Sequence, residues 1–299
     1  METIKLDLKN ITSLKEKTAL CLGYFDGLHL GHRTLIENAL KENDHVAILT
    51  FDFSPKLYLA KKKNIILTSL EDKEKILEKV GVEYLLVLNI DEGILDLEKN
   101  DFISLVLAKL NPSHIYCGTD FRFGKNKEGK VDDLKKVFPI TAIDTVDYEG
   151  KKISTSRIID LLKRGDIDNA NILLGRYYTV KGTVIKGLGN GKRIGFRTAN
   201  LSLSDDYYLP KNGVYICQAT DDKETYPAIC NVGVHPSLDE LEKSIIEVHV
   251  LNRVLDLQGK VLKVELLRFL RSEKKFREIN DLVLQIMKDI LKAEDYFKK

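Results

Sequence analysis

No run in the 299-residue sequence approaches the roughly 18 consecutive apolar residues that a membrane-crossing helix needs. The opening Met1-Glu2-Thr3-Ile4-Lys5 is charged and lacks the apolar core of a secretory leader, so a cytoplasmic protein with no membrane partner is expected. A basic excess is also missing. Lys+Arg 47 against Asp+Glu 45 leaves a net charge of +2, too little for a general nucleic-acid coat. No nucleic-acid partner is therefore expected, and any anion must be held by local geometry. Cys21, Cys117, Cys217 and Cys230 form no C-x-x-C pair, and each lies in or beside a short apolar run. Buried free thiols in a reducing compartment are expected, and zinc is not. The chain has no internal repeat, no low-complexity segment and no obvious Ser/His/Asp triad or catalytic cysteine. The sequence leaves the oligomeric state open.

What is present is a 43% hydrophobic share over a length that suits about two domains of roughly 100–200 residues each. In the first half, strand-like runs (Ala19–Leu22, 45–51, Tyr84–Leu88, 115–117) alternate with helix-like segments (31–42, 69–80, 102–110). Such alternation predicts an α/β, doubly wound parallel sheet whose ligands bind beyond the carboxyl ends of the strands. Two short helices, 156–163 and Ile167–Leu174, follow. After Gly175 come β-rich runs, Tyr178–Ile185, 214–219, 245–251 and 261–269, separated by Gly, Asn and Asp. These predict a small antiparallel β-barrel. A terminal helix, Ile279–Phe297, carries Ile279, Leu282, Ile286, Ile290, Ala293 and Phe297 on one face. The domain boundary is placed near residue 175, giving units 1–175 and 176–299.

The first chemical constellation is Gly23-Tyr24-Phe25-Asp26-Gly27-Leu28-His29-Leu30-Gly31-His32, between a strand and a helix. Gly23 and Gly27 permit a sharp turn and close approach of backbone to ligand. The helix start supplies free N–H groups and a positive dipole end, a seat for phosphate. His29 and His32, three residues apart, can both face that seat and donate to phosphate oxygens as charge builds. The plainer alternative is a turn followed by surface histidines.

These residues resemble the Gly-x-Phe-Asp-Gly-x-His-x-Gly-His signature of the bacterial bifunctional riboflavin kinase/FMN adenylyltransferases, or FAD synthetases. The His-x-Gly-His core alone resembles the wider nucleotidyltransferase superfamily and indicates only AMP transfer. Thr50-Phe51-Asp52-Phe53-Ser54-Pro55 falls where the family has Thr-Phe-x-Pro-His-Pro. The loop Gly118-Thr119-Asp120-Phe121-Arg122-Phe123-Gly124 is similar to Gly-x-Asp-Phe-x-Phe-Gly, and Ile153-Ser154-Thr155-Ser156 to Ile-Ser-Ser-Thr. The resemblance implies that Gly23, Phe25, Asp26, Gly27, Thr50, Gly118, Asp120, Phe121, Phe123, Ser154, Thr155 and Ser156 line a site for ATP and FMN. Phe121 and Phe123 can stack on a planar ring or simply pack in the core. Ser154, Thr155 and Ser156 can meet phosphate or cap the next helix. Two departures from the family stand out: Ile159 stands where it has Arg, and Phe53-Ser54 where it has Pro-His.

A second constellation begins with the glycine-rich basic loop Lys186-Gly187-Leu188-Gly189-Asn190-Gly191-Lys192-Arg193, which lacks Walker A spacing. Gly195-Phe196-Arg197-Thr198-Ala199-Asn200 resembles the Gly-x-Pro-Thr-Ala-Asn signature of riboflavin kinases, whose Thr and Asn carry the Mg²⁺ of ATP. Asn231-Val232-Gly233-Val234-His235-Pro236-Ser237 resembles Asn-x-Gly-x-x-Pro-Thr. Glu247-Val248-His249 is similar to Glu-x-His, where Glu is the general base. Arg271-Ser272-Glu273 with Phe276 resembles the segment that closes on the flavin. By resemblance Gly187, Gly191, Lys192, Thr198, Asn200, Asn231, Arg271 and Glu273 bind ATP or flavin, Thr198 and Asn200 hold Mg²⁺ with ATP, and Glu247 is the base. Arg197, Ser237, Asn252, Arg253 and Gln258 depart from the pattern.

The resemblance spans nearly the whole chain. It implies phosphorylation of riboflavin to FMN and adenylylation of FMN to FAD, with Mg²⁺ and these small molecules as partners. Two alternatives stand beside it. One is an adenylyltransferase with a weakened kinase, and the other is a flavin- or nucleotide-binding sensor without catalysis.

Overall fold

The computed structural model describes residues 1–186, 195–235 and 243–298. Gly187, Gly191, Lys192, Pro236 and Ser237 lie outside the described residues. The chain divides into two compact units, Met1–Ser154 and Thr155–Lys299.

The first unit carries β1 (Glu2–Leu6), β2 (Ala19–Leu22), β3 (Val46–Phe51), β4 (Tyr84–Leu88), β5 (His114–Gly118), the hairpin β6 (Arg122–Phe123) and β7 (Gly129–Lys130), and β8 (Ile140–Ile143). A second hairpin, β9 (Asp147–Tyr148) and β10 (Lys151–Lys152), follows. Its helices are α1 (Leu30–Glu42), α2 (Pro55–Leu59), α3 (Leu70–Val80), α4 (Glu92–Leu95), α5 (Lys99–Phe102), α6 (Ala108–Leu110) and α7 (Val131–Lys135). A π-helical stretch, Ile103–Leu107, joins α5 to α6, where one continuous helix was expected. Six strands form a wholly parallel sheet in the order β1-β4-β3-β2-β5-β8. Alternate side chains enter separate cores: Leu20, Leu49 and Leu86 on one face, Cys21, Ile48 and Leu85 on the other. Burial on both faces is why these strands read as unbroken apolar runs. From β2 the chain steps through β3 to β4 on one side, then returns to β5 and β8 on the other. That reversal beside β2 is the switch point at which such sheets open a crevice.

In the second unit α8 (Thr155–Arg164) and α9 (Ile167–Leu174) precede a closed antiparallel barrel. Its strands are β11 (Tyr178–Ile185), β12 (Ala199–Leu203), β13 (Gly213–Thr220), β14 (Thr225–His235), β15 (Lys243–Val250) and β16 (Val261–Ser272), in the order β11-β12-β15-β14-β13-β16. The two helices group with the barrel rather than with the sheet, ahead of the boundary read near residue 175. Asn171 explains why α9 does so: its amide donates to the Leu266 carbonyl at 2.9 Å and its Oδ1 accepts from the Tyr178 N–H at 2.6 Å. The C-terminal helix Ile279–Phe297 covers a barrel patch of Val214, Ile216, Ile229, Leu251 and Leu267 with Ile290, Ala293 and Phe297. Ile279, expected on that face, is 61% exposed, so the apolar stripe starts a turn later at Leu282. The four cysteines are buried free thiols, and burial pushes that of Cys117 up to about 11. Among the described residues no helix is long and apolar enough to cross a membrane.

Candidate active sites

In the first unit the switch point is occupied by the turn between β2 and α1. Phe25 (φ 53°), Gly27 (φ 81°) and Leu28 (φ 40°) all adopt left-handed backbone. Two of these are not glycine, so the turn is strained and must be held from outside. Phe25 and Leu28, 1% and 0% exposed, anchor it in the core. Asp26 is buried, and its Oδ1 accepts from the N–H groups of Leu67 at 2.9 Å and Thr68 at 3.2 Å. Burial raises the Asp26 carboxyl above its ordinary value, while nearby Lys73 and the backbone donors pull it down. Gly23 approaches the Phe25 ring closely, and a Cβ there would lie 3.0 Å from it, so the buried ring would have to shift. Phe25, Asp26 and Gly23 thus shape the turn from inside.

The turn ends on His29, the N-cap of α1, whose Nδ1 accepts from the His32 N–H at 3.3 Å. The two imidazoles stack with centroids 3.6 Å apart and planes 13° from parallel, and Phe25 meets the His32 ring edge-on at 5.1 Å. No acidic side chain lies in the first turn of α1, so the helix itself places no negative charge at its positive dipole end. Ile153 passes this helix start, its carbonyl 3.8 Å from where a Cβ on Gly31 would lie. Ser154 ends the first unit, and Thr155 and Ser156 open α8 in the second.

Thr50, next to last in β3 and 1% exposed, donates to the Tyr24 carbonyl at 2.7 Å. After β5, Gly118 leaves room for the Asp120 carboxylate, 2.9 Å from a Cβ there. Asp120 is exposed and ion-paired to Lys152 of β10. The two phenylalanines part company. Phe123 is 5% exposed and packs on Phe102 at 5.6 Å, whereas Phe121 stays half-exposed, its ring stacked on that of Phe123 at 6.0 Å. Lys73 of α3, which sequence reasoning missed, is buried beneath the turn: its Nζ donates to the Tyr24 carbonyl at 3.1 Å and to Thr50 Oγ1 at 3.4 Å.

In the barrel, a cavity of about 600 Å³ is lined by Thr198, Asn231, Glu247, His249, Arg271 and Glu273, among others. A second, of about 230 Å³, is lined by Arg197, Thr198, Asn200, Arg253, Asp256 and Gln258, among others. Thr198 lines both. Cross-strand register sets Glu247 of β15 opposite Asn200 of β12 and opposite Asn231 of β14. His249, two residues on, bonds through Nδ1 to the Arg197 carbonyl at 2.8 Å and fixes the approach to Thr198. Asn231 donates to Glu273 Oε1 at 3.3 Å, and Gly233 allows that carboxylate to lie over β14. The Arg271 guanidinium is held at 2.8 Å by Asp289 of the C-terminal helix. Asp289 is 1% exposed, and its other oxygen accepts from Gln285 at 2.9 Å. Asp289 is the second residue that sequence reasoning did not find.

A family model described as FAD synthetase matches residues 11–157, and one described as riboflavin kinase matches residues 174–297. The bifunctional riboflavin kinase/FMN adenylyltransferase of Bacillus subtilis (strain 168) is 37% identical over 293 residues, covering 94% of this chain and 93% of its own. The chain belongs to this bifunctional family. The relatives of the same name from Listeria monocytogenes and Escherichia coli K12 are 34% and 32% identical, over 94% and 95% of this chain and 92% and 94% of theirs. A crystal structure titled as a macrolide-efflux protein from Streptococcus pneumoniae is 30% identical, with a TM-score of 0.89 over 96% of this chain and 97% of its own.

Proposed function

We propose that this chain catalyses riboflavin + ATP → FMN + ADP in its barrel unit and FMN + ATP → FAD + pyrophosphate in its sheet unit. The observation that carries the reading is the pairing of two side-chain arrangements with the two family matches: the stacked His29 and His32 at a helix start, and Glu247 in a cavity that shares Thr198 with a second one. Residues 1–175 are assigned to adenylyl transfer and 176–299 to the kinase, in the cytoplasm, with small molecules as partners.

In the kinase step Glu247 accepts the proton of the ribityl hydroxyl as that oxygen attacks the γ-phosphorus of ATP. The larger cavity holds the flavin and the smaller one the nucleotide. Thr198 and Asn200 offer a hydroxyl and an amide oxygen, and among the described residues no cluster of three acidic, His or Cys ligands competes with them. That donor set fits a Mg²⁺ arriving on ATP, with phosphate oxygens and water as its other ligands. Bound there, Mg²⁺ would neutralise phosphate charge. In the adenylyl step an FMN phosphate oxygen attacks the α-phosphorus and needs no base. His29, His32 and the α1 N–H groups stabilise the added charge.

A second reading, an adenylyltransferase with an altered kinase, has its own support: Arg197, Arg253 and Gln258, all departures from the family pattern, line the smaller cavity. Chromatography of riboflavin, FMN and FAD after incubation with MgATP tests both readings. FMN and FAD from riboflavin support the first. FAD from FMN without FMN from riboflavin supports the second, and no turnover leaves a binding protein.

A further inference from the structure

Among the described residues Lys73 is the one buried lysine or arginine. Its position is unfavourable twice over. It is buried, and it lies in the first turn of α3, behind the Ser69 N-cap, where the helix dipole opposes a cation. Four groups offset this. The Tyr24 carbonyl and Thr50 Oγ1 accept from its ammonium, the Tyr24 ring lies 5.3 Å away, and the Asp26 carboxylate acts on it through space. Thr50 itself donates to the Tyr24 carbonyl, so β3, α3 and the β2–α1 turn converge on one point. That point lies at the entrance to the three left-handed residues Phe25, Gly27 and Leu28, and the turn they form ends on His29.

We propose that Lys73 is a positioning residue of the adenylyl site, its charged amine holding the strained turn that places His29 and His32. The proposal rests on the adenylyltransferase reading above. A neutral amine would still fill the space but would lose its attraction to Asp26 and weaken its grip on the Tyr24 carbonyl. Burial lowers the Lys73 amine to about 8, although Asp26 pulls it upward. The titratable groups facing it are Asp26 and Tyr24 of the turn, and β3 presents the Thr50 hydroxyl. Burial and the Asp26 carboxylate both raise the Tyr24 phenol, so Tyr24 stays neutral where Lys73 titrates.

The test compares the full-length parent with Lys73→Met and Lys73→Arg. Each is assayed for FAD from FMN and MgATP across pH, and for FMN from riboflavin as an internal control. Lys73→Met is expected to lose about 10²-fold in kcat for FAD formation, the cost of misplacing a catalytic group by about an ångström. FMN formation should be unchanged. The parent should lose FAD formation on an alkaline limb near the amine's titration. Lys73→Arg, whose guanidinium stays charged, should exceed Lys73→Met in rate and lack that limb. A residue that merely fills space would leave the three pH profiles superimposable. That result, or a folded Lys73→Met at the parent rate, overturns the proposal. If Lys73→Met does not fold, the parent and Lys73→Arg profiles decide alone. A parent that makes no FAD from FMN overturns the adenylyltransferase reading itself, and this proposal with it.

Discussion

Glu247 and Asn231 stand directly opposite each other on β15 and β14, and Asn200 faces Glu247 from β12 on its other side. Residues paired in register share one face of a sheet, so one row carries a carboxylate between two amides. The amides can orient the carboxylate without neutralising it, as a base requires. Glu247→Gln keeps the shape and removes the basic oxygen. FMN formation from riboflavin and MgATP should fall by roughly 10²–10⁴, the usual range for a positioned general base. FMN-to-FAD conversion should persist, and quenched-flow or chromatographic rates check both. A folded variant that phosphorylates riboflavin at the parent rate would remove Glu247 from the mechanism.

His32→Ala should lose FAD formation while leaving FMN formation nearly intact. The imidazole is stacked on His29 and braced by Phe25, so its removal takes away a donor and a support at once. Loss of one preorganised donor to a developing phosphate charge costs about 10²–10³ in kcat. Equal rates of FMN adenylylation in parent and variant would refute this assignment.

Asp289 holds Arg271 at the wall of the larger cavity, and Gln285 satisfies its second oxygen. Asp289→Ala would leave the guanidinium without its buried partner. A broken buried pair costs about 3–5 kcal/mol, and Arg271, whose side chain is 15% exposed, can recover part of that from water. Thermal unfolding of the barrel should shift down, and KM for riboflavin should rise more than KM for ATP. Asp289→Asn, which keeps one hydrogen bond, should lie between. An unchanged riboflavin KM in a folded Asp289→Ala would show that Arg271 needs no brace.

Both candidate sites are legible in the sequence wherever their residues are local. The glycine turn, His29 and His32 lie within one strand–turn–helix unit, and the spacing of β-rich runs gave away the barrel. Three kinds of feature were hidden. Lys73 reads as an ordinary polar position on an amphipathic helix, and only the folded sheet brings it to Tyr24, 49 residues away. Asp289 likewise looks solvated until the C-terminal helix is laid on the barrel. The different burial of Phe121 and Phe123 depends on Phe102, which their own segment does not contain. Asp26 and Thr50 also carry structural bonds that their own segments do not show: Asp26 accepts from the Leu67 and Thr68 N–H groups, and Thr50 donates to the Tyr24 carbonyl and accepts from Lys73.

Ile159 stands where the family has arginine. It lies on α8 between Ile158, which is fully buried, and exposed Asp160, and is itself half-buried. A long side chain there can keep its stem against the protein and its head in water, so Ile159→Arg should fold. If the family's arginine meets pyrophosphate, the substitution adds at best one charge-assisted bond, worth about 1.5–3 kcal/mol and less in a solvated site. The apparent KM for ATP in FAD formation should then fall by up to about tenfold, with FMN formation unaffected. Steady-state rates against MgATP concentration at saturating FMN measure it. A folded Ile159→Arg with an unchanged ATP constant would mean that another cation already serves the pyrophosphate. Arg157, two residues earlier in the first turn of α8, is the residue to replace next. Arg157→Gln should then raise the constant that Ile159→Arg failed to lower, and in the double variant the new arginine should restore it.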